Sequence, residues 1–122
     1  MAHVLIVDDY VVSQRLLSQI FRNAGHSTET AGDGPEALDW LASEPFDMVV
    51  LDVSMPEMDG ITVLEHIRSD DTYGNPYVIM LTASGEDHVR IRAEQAGADA
   101  FLTKPSSSAQ VIAVVNELLS GK

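Results

Sequence analysis

Short unbroken apolar runs alternate along this chain with segments whose apolar residues recur every three or four positions. Val4-Leu5-Ile6-Val7, Met48-Val49-Val50-Leu51 and Val78-Ile79-Met80-Leu81 are the clearest runs. They are rich in β-branched residues and carry no alternating polar positions, the pattern of strands covered on both faces of a parallel sheet. The pattern predicts strands near residues 3–8, 27–31, 47–52, 77–82 and 99–102. Between them, Leu17, Ile20, Phe21 and Ala24 follow the i, i+3, i+4, i+7 spacing of a helix with one buried face, and Val111, Ile112, Val115, Leu118 and Leu119 make a similar stripe. Shorter stripes are Ala37, Leu38, Leu41 and Val63, Leu64, Ile67, and a fourth helix over roughly 86–96 has the weakest stripe.

The punctuation agrees. Gly25 and Gly97 stand where helices should stop, in the left-handed position that glycine tolerates. Gly32-Asp33-Gly34-Pro35-Glu36 reads as a turn entering a helix with proline and an acid in its first turn, and Ser107 with Gln110 is a capping-box spacing. The longest irregular stretch is Asp70–Pro76. Five βα units with short connections predict one α/β domain over 1–122, a doubly wound sandwich with helices on both faces, and no linker or repeat. In the strand order 2-1-3-4-5, strands 1 and 3 meet at the switch point, outside whose carboxyl ends ligands bind.

Composition narrows the function classes. A chain of 122 residues buries roughly two-thirds of its unfolded surface without a covalent staple. It has no cysteine, which removes disulfides, thiolate metal sites and thiol nucleophiles. Nineteen acidic against seven basic residues give a formal charge of −12, and the arginines are scattered, so direct nucleic-acid binding is not expected. No apolar run is long enough to cross a bilayer, and Met1-Ala2-His3 leads straight into a strand pattern rather than a signal peptide, so no membrane association and a cytoplasmic location are expected.

The chemistry sits at the carboxyl ends of the strands: Asp8-Asp9 after the first, Asp52 after the third, Thr82 at the fourth and Lys104-Pro105 after the fifth. Taken singly, each has an ordinary reading: a helix cap for Asp8-Asp9 or Thr82, a surface dipeptide for Lys104-Pro105, plain core for Phe101. Together they place three carboxylates in one crevice, where Lys104 and a divalent cation offset the repulsion. Mg²⁺ suits such an oxygen site, with Mn²⁺ as a substitute. His3, His26, His66 and His88 are dispersed and read as solvated. Asp52 is the nucleophile candidate, since a carboxylate can take a phosphoryl group as an aspartyl phosphate.

Val7-Asp8-Asp9, Asp52 followed by Met55-Pro56-Glu57-Met58-Asp59-Gly60, Leu81-Thr82-Ala83 and Leu102-Thr103-Lys104-Pro105 resemble the receiver domain of two-component response regulators, in its single-domain, chemotaxis-regulator-like form. The resemblance covers essentially the whole chain and carries the 2-1-3-4-5, flavodoxin-like topology with it. It implies that Asp52 accepts a phosphoryl group from a histidine of a partner kinase or phosphotransfer protein in a bacterial phosphorelay. Asp9, Asp52 and the backbone carbonyl of Ser54 would ligate Mg²⁺, with Asp8 acting through bound water. Lys104 would pair with phosphoryl oxygens, Thr82 would move to hydrogen-bond them, and the rotamer of Phe101 would follow. A cis peptide before Pro105 is implied as well. The readout would be the face of helix 4, strand 5 and helix 5, offered to a downstream effector the residues do not identify. A phosphorylation-dependent homodimer stays open, and slow self-dephosphorylation rather than enzymatic turnover is expected. Ser54 and Ser84 stand where bulkier or charged side chains are frequent, which leaves the phosphoryl lifetime open, and Ser106 replaces a frequent aromatic. Two alternatives remain: a phosphate-independent pseudo-receiver, and a haloacid-dehalogenase-type phosphatase. The phosphatase is disfavoured because position 54 is not acidic and Asp52 follows the third strand.

Overall fold

The computed structural model describes residues 1–55, 58–83, 86–104 and 107–120. The candidate cis peptide at Pro105, and Ser84 and Ser106, lie outside the described residues. Strands β1 (His3–Val7), β2 (Ser27–Ala31), β3 (Met48–Leu51), β4 (Tyr77–Thr82) and β5 (Ala100–Thr103) alternate with helices α1 (Val11–Asn23), α2 (Gly34–Ser43), α3 (Gly60–Ser69), α4 (Asp87–Ala96) and α5 (Ser108–Leu119). The strands form one parallel sheet in the order β2-β1-β3-β4-β5. This is the doubly wound sandwich that the alternating pattern predicts, in the flavodoxin-like strand order that the resemblance implies.

Why the central runs lack polar residues is visible in how successive side chains divide. Leu5, Val7, Val49, Leu51, Val78 and Met80 pack with Ala37, Leu41, Ile61, Leu64 and Ile67 of α2 and α3. Their neighbours Val4, Ile6, Met48, Val50, Ile79 and Leu81 pack with Leu17 and Phe21 of α1 and Val111 and Val115 of α5. Each side chain buried in full contributes about 1.5–3 kcal/mol, so both faces of β1, β3 and β4 must be apolar. The edge strands are less buried: β2 has only Ala31 buried, and no residue of β5 is. The fourth helix buries only Ala93, in keeping with its weak stripe.

The helix boundaries follow side-chain chemistry. Asp33 accepts from Glu36 N–H at 2.8 Å, Asp59 accepts from Thr62 N–H at 2.8 Å, and Ser107 with Gln110 forms the reciprocal capping box. Gly97 closes α4 in the left-handed conformation (φ 106°). Two expectations need correction. The Asp70–Pro76 stretch contains a 3-10 turn, Asp71–Tyr73, because Asp70 accepts from Thr72 N–H at 2.9 Å and Gly74 ends it with φ 74°. Nor are all the histidines simply solvated. The ring of His3 stacks on Phe46 at 4.4 Å, and Nδ1 of His26 accepts from Ala2 N–H at 2.9 Å. His66 and His88 are exposed as expected.

Gly60 ties the fold to the carboxyl end of β3. A β-carbon there would lie 2.1 Å from the carbonyl oxygen of Asp52 and 3.0 Å from Val53 Cα, while Gly60 N–H donates to Val53 C=O at 2.9 Å. Backbone cannot yield as a flexible side chain can, so Gly60→Ala must push α3 off the strand end. The expected loss in urea unfolding is about 1–3 kcal/mol or more. An unchanged midpoint would mean that α3 does not seat on this peptide.

Candidate functional site

The parallel register delivers the side chains to one edge. Beyond the strands the hydrogen-bond ladder continues: Asp8 N–H donates to Ala31 C=O (3.1 Å), Asp52 N–H to Val7 C=O (3.0 Å) and Lys104 N–H to Thr82 C=O (2.7 Å). Asp8 and Asp52 are thus fixed at neighbouring strand ends and are 2 % and 8 % exposed, while Asp9, one residue on, is exposed. Carboxylate oxygens of Asp8, Asp9 and Asp52 all lie within 4.8 Å of one another. Lys104 reaches in from the end of β5, its Nζ 2.7 Å from Asp8 Oδ2 and 3.8 Å from Asp52 Oδ2. Thr82 is fully buried at the end of β4, opposite Thr103 in the register. Phe101, opposite Met80, is half-buried and packs against the core on the α2–α3 side.

Neither ordinary cap reading survives. The N-cap of α1 is Tyr10 and that of α4 is Glu86, and neither makes a side-chain cap bond. Asp8 instead accepts from Tyr10 N–H at 2.9 Å through Oδ1, leaving Oδ2 to Lys104. Sequence reasoning missed Gln14, whose Nε2 donates to the Asp8 carbonyl at 2.6 Å and braces the turn. Its only signal was its position one turn into α1, which many polar residues share.

The electrostatics are unequal. Burial pushes the Asp52 carboxyl above the usual carboxylate range; Lys104 opposes this, Asp8 adds to it, the Ser54 N–H bond (3.2 Å) opposes it, and Asp9 adds to it. One ammonium group held closer to Asp8 than to Asp52 does not neutralise three carboxylates. The donors are all hard oxygens, with no imidazole or thiolate among them, so the residues fit Mg²⁺ or Mn²⁺ rather than zinc or copper.

A parallel sheet with an acidic trio and a lysine at its switch point defines a class of phosphoryl-handling α/β domains, and comparison makes the class specific. The family model of the response regulator receiver domain matches residues 4–116. The chain is 38% identical over 107 residues to the chemotaxis protein CheY-3 of Vibrio cholerae, covering 87% of this chain and 82% of that one. Among solved structures it superposes on Vibrio cholerae CheY4 with a TM-score of 0.90 at 31% identity, over 96% of this chain and 98% of the other. It also superposes on a CheX–CheY–BeF3–Mg complex from Borrelia burgdorferi, with a TM-score of 0.86 at 37% identity, over 96% and 88% of the two chains. The protein belongs to the response regulator receiver family, whose members are signalling switches rather than typical enzymes. Membership removes the phosphatase alternative.

The raised Asp52 carboxyl has a consequence for stability. In the folded chain this group holds its proton to higher pH than in the unfolded chain, so its stabilising contribution is complete below the unfolded value of about 3.8. That contribution is lost as pH rises through the folded value. Asp52→Asn removes the loss. The variant should melt above the parent at pH 7, with the gap closing as pH falls towards 3.8. Equal melting temperatures at neutral pH would contradict the electrostatic reading.

Proposed function

We propose that Asp52 is the phosphoacceptor. An Oδ atom of Asp52 attacks the phosphorus of a phosphohistidine on a partner kinase or phosphotransfer protein. The P–N bond breaks, its electron pair returns to the imidazole, and an aspartyl phosphate remains. The supporting observation is the convergence on Asp52: a carboxylate 8 % exposed, with Lys104 bridging it to Asp8 and with Asp9 alongside. Asp9 and Asp52, with the backbone carbonyl of Ser54 and with Asp8 through water, would hold Mg²⁺, or Mn²⁺ in its place. The bound ion would supply charge neutralisation at the phosphoryl oxygens. Lys104 is already aimed between Asp8 and Asp52, so transfer asks it to shift only from one oxygen set to another.

The donor we infer is a protein. Tyr10, Val11, Val12 and Leu16 are 49–61 % exposed beside the strand ends, and α1 contains no acidic residue although the chain carries −12. Leu16 also lines a groove of about 380 Å³ with Leu17, Ile20, Lys104 and Val111. Exposed apolar side chains clustered next to reacting groups suit a partner helix better than a free metabolite. The readout side is built differently: α4 buries only Ala93 and β5 buries no residue, so the α4–β5–α5 face has little packing to lose when Thr82 and Phe101 respond to the new charge. Ser54 is exposed beside Asp52 and leaves the site open to water, so the aspartyl phosphate is expected to be lost without a partner protein.

With acetyl phosphate and Mg²⁺, the protein should take up one phosphoryl group, and Asp52→Asn should take up none. No labelling of the parent would favour the pseudo-receiver alternative, and labelling undiminished in Asp52→Asn would contradict the assignment of Asp52. Leu16→Asp should leave acetyl phosphate labelling intact while slowing transfer from a phosphohistidine protein about tenfold, as for a disrupted interface anchor. Equal slowing with both donors would remove α1 from the account.

A further inference from the structure

At the opposite, amino end of the sheet, a second group of metal-ligating side chains converges. His3 opens β1, Glu29 lies in β2, and Glu44 follows the last residue of α2; ligand atoms of all three lie within 4.8 Å of one another. Their placement follows from the register. His3 pairs with Ser27, and Glu29 stands two residues beyond Ser27, on the same face of the edge strand. The His3 ring is held on both sides. It stacks on Phe46 with an interplanar angle of 8°, and Nδ1 lies 2.7 Å from Ser27 Oγ. Nε2 is thereby left facing Glu44, at 2.6 Å from Oε2, a contact that requires a hydrogen between the two atoms.

We propose that His3, Glu29 and Glu44 form a zinc-type divalent-metal site, distinct from the carboxylate trio. One nitrogen and two carboxylate oxygens are a mixed donor set of the kind zinc takes, with water in the fourth position. A histidine ligand typically engages its other ring nitrogen in a hydrogen bond that fixes ring orientation, the arrangement made here by Ser27. Tetrahedral ligands about 2.05 Å from zinc stand about 3.3 Å apart, so the Nε2–Oε2 pair must open by only about 0.7 Å, and Glu29 must close in. The side chains of His3 and Glu44 are 28 % and 38 % exposed, so an ion reaches them without unfolding. On binding, the hydrogen between Nε2 and Oε2 is released to water and Nδ1–H donates to Ser27 Oγ, which leaves the Nε2 lone pair for the ion. Five residues of strand separate this end from Asp8, roughly 16 Å.

Calorimetric titration of Zn²⁺ into tag-free protein, with Mg²⁺ in excess, tests this. One equivalent should bind. His3→Gln should abolish binding, and Ser27→Ala, which keeps all three ligands, should weaken it about 10–100-fold. Asp9→Asn and Asp52→Asn should leave it unchanged, which makes the result independent of the phosphoacceptor reading. Circular dichroism confirms that the His3 and Ser27 variants are folded; should His3→Gln fail to fold, the Ser27 variant decides. No binding by the parent, undiminished binding by folded His3→Gln or Ser27→Ala, or loss of binding in Asp52→Asn would overturn the proposal.

Discussion

Repulsion among Asp8, Asp9 and Asp52, restrained by a single lysine, is the constraint around which this domain is built. Asp8 is almost wholly buried, and its ion pair with Lys104 spans 96 residues of sequence at 2.7 Å. Removing one partner of a buried pair costs about 3–5 kcal/mol, because the other charge is left without compensation. The pair therefore pins the end of β5 to the end of β1 across two intervening strands. Asp52 gains less from Lys104, which only partly offsets the burial that raises its carboxyl above the usual range. A site left short of positive charge, with hard oxygen donors gathered in it, is suited to a divalent cation.

The scaffold divides its rigidity to match. Around β1 and β3 the backbone is over-determined: ladder bonds carry through Asp8 and Asp52, Gln14 braces the Asp8 carbonyl, and Gly60 seats α3 against the Asp52 peptide. On the far side, α4 is fixed mainly at its carboxyl end. There Arg68 donates to Gly97 C=O (3.1 Å), Pro76 C=O (2.8 Å), Asn75 (2.9 Å) and Asp99 (3.0 Å), and Asp99 in turn accepts from Val78 N–H (2.8 Å). The amino end of α4, nearer Thr82, has no such fastening among the described residues. Under the proposed switch, a helix so sparsely buried is the element on which a local charge change would act.

Much of this was legible in the residue pattern, for identifiable reasons. Runs such as Val4–Val7 and Met48–Leu51 can be apolar throughout only if both faces are covered, so they announce a parallel core as well as strands. Asp33 and Ser107 mark helix starts because their side chains satisfy free N–H groups locally, a short-range device that sequence displays directly. The site residues were legible because each follows a recognisable run. Features that depend on tertiary neighbours were not. The 3-10 turn after Asp70 is one residue's hydrogen bond, and the engagement of His3 needed β2, the end of α2 and Phe46 in place at once. Gln14 and Arg68 look like surface residues in the sequence, and only the packed chain gives them partners.

The central claim is that the acidic trio and Lys104 together hold a phosphoryl group on Asp52. The most direct measurement is a crystal structure of the protein with Mg²⁺ and beryllofluoride, an acyl-phosphate mimic. The account predicts the mimic on an Oδ atom of Asp52, Lys104 Nζ and the Thr82 hydroxyl on its fluorines, and the metal between Asp9, Asp52 and the mimic. Beryllofluoride bound to another carboxylate, or an Asp52 left bare with Lys104 still on Asp8, would contradict it.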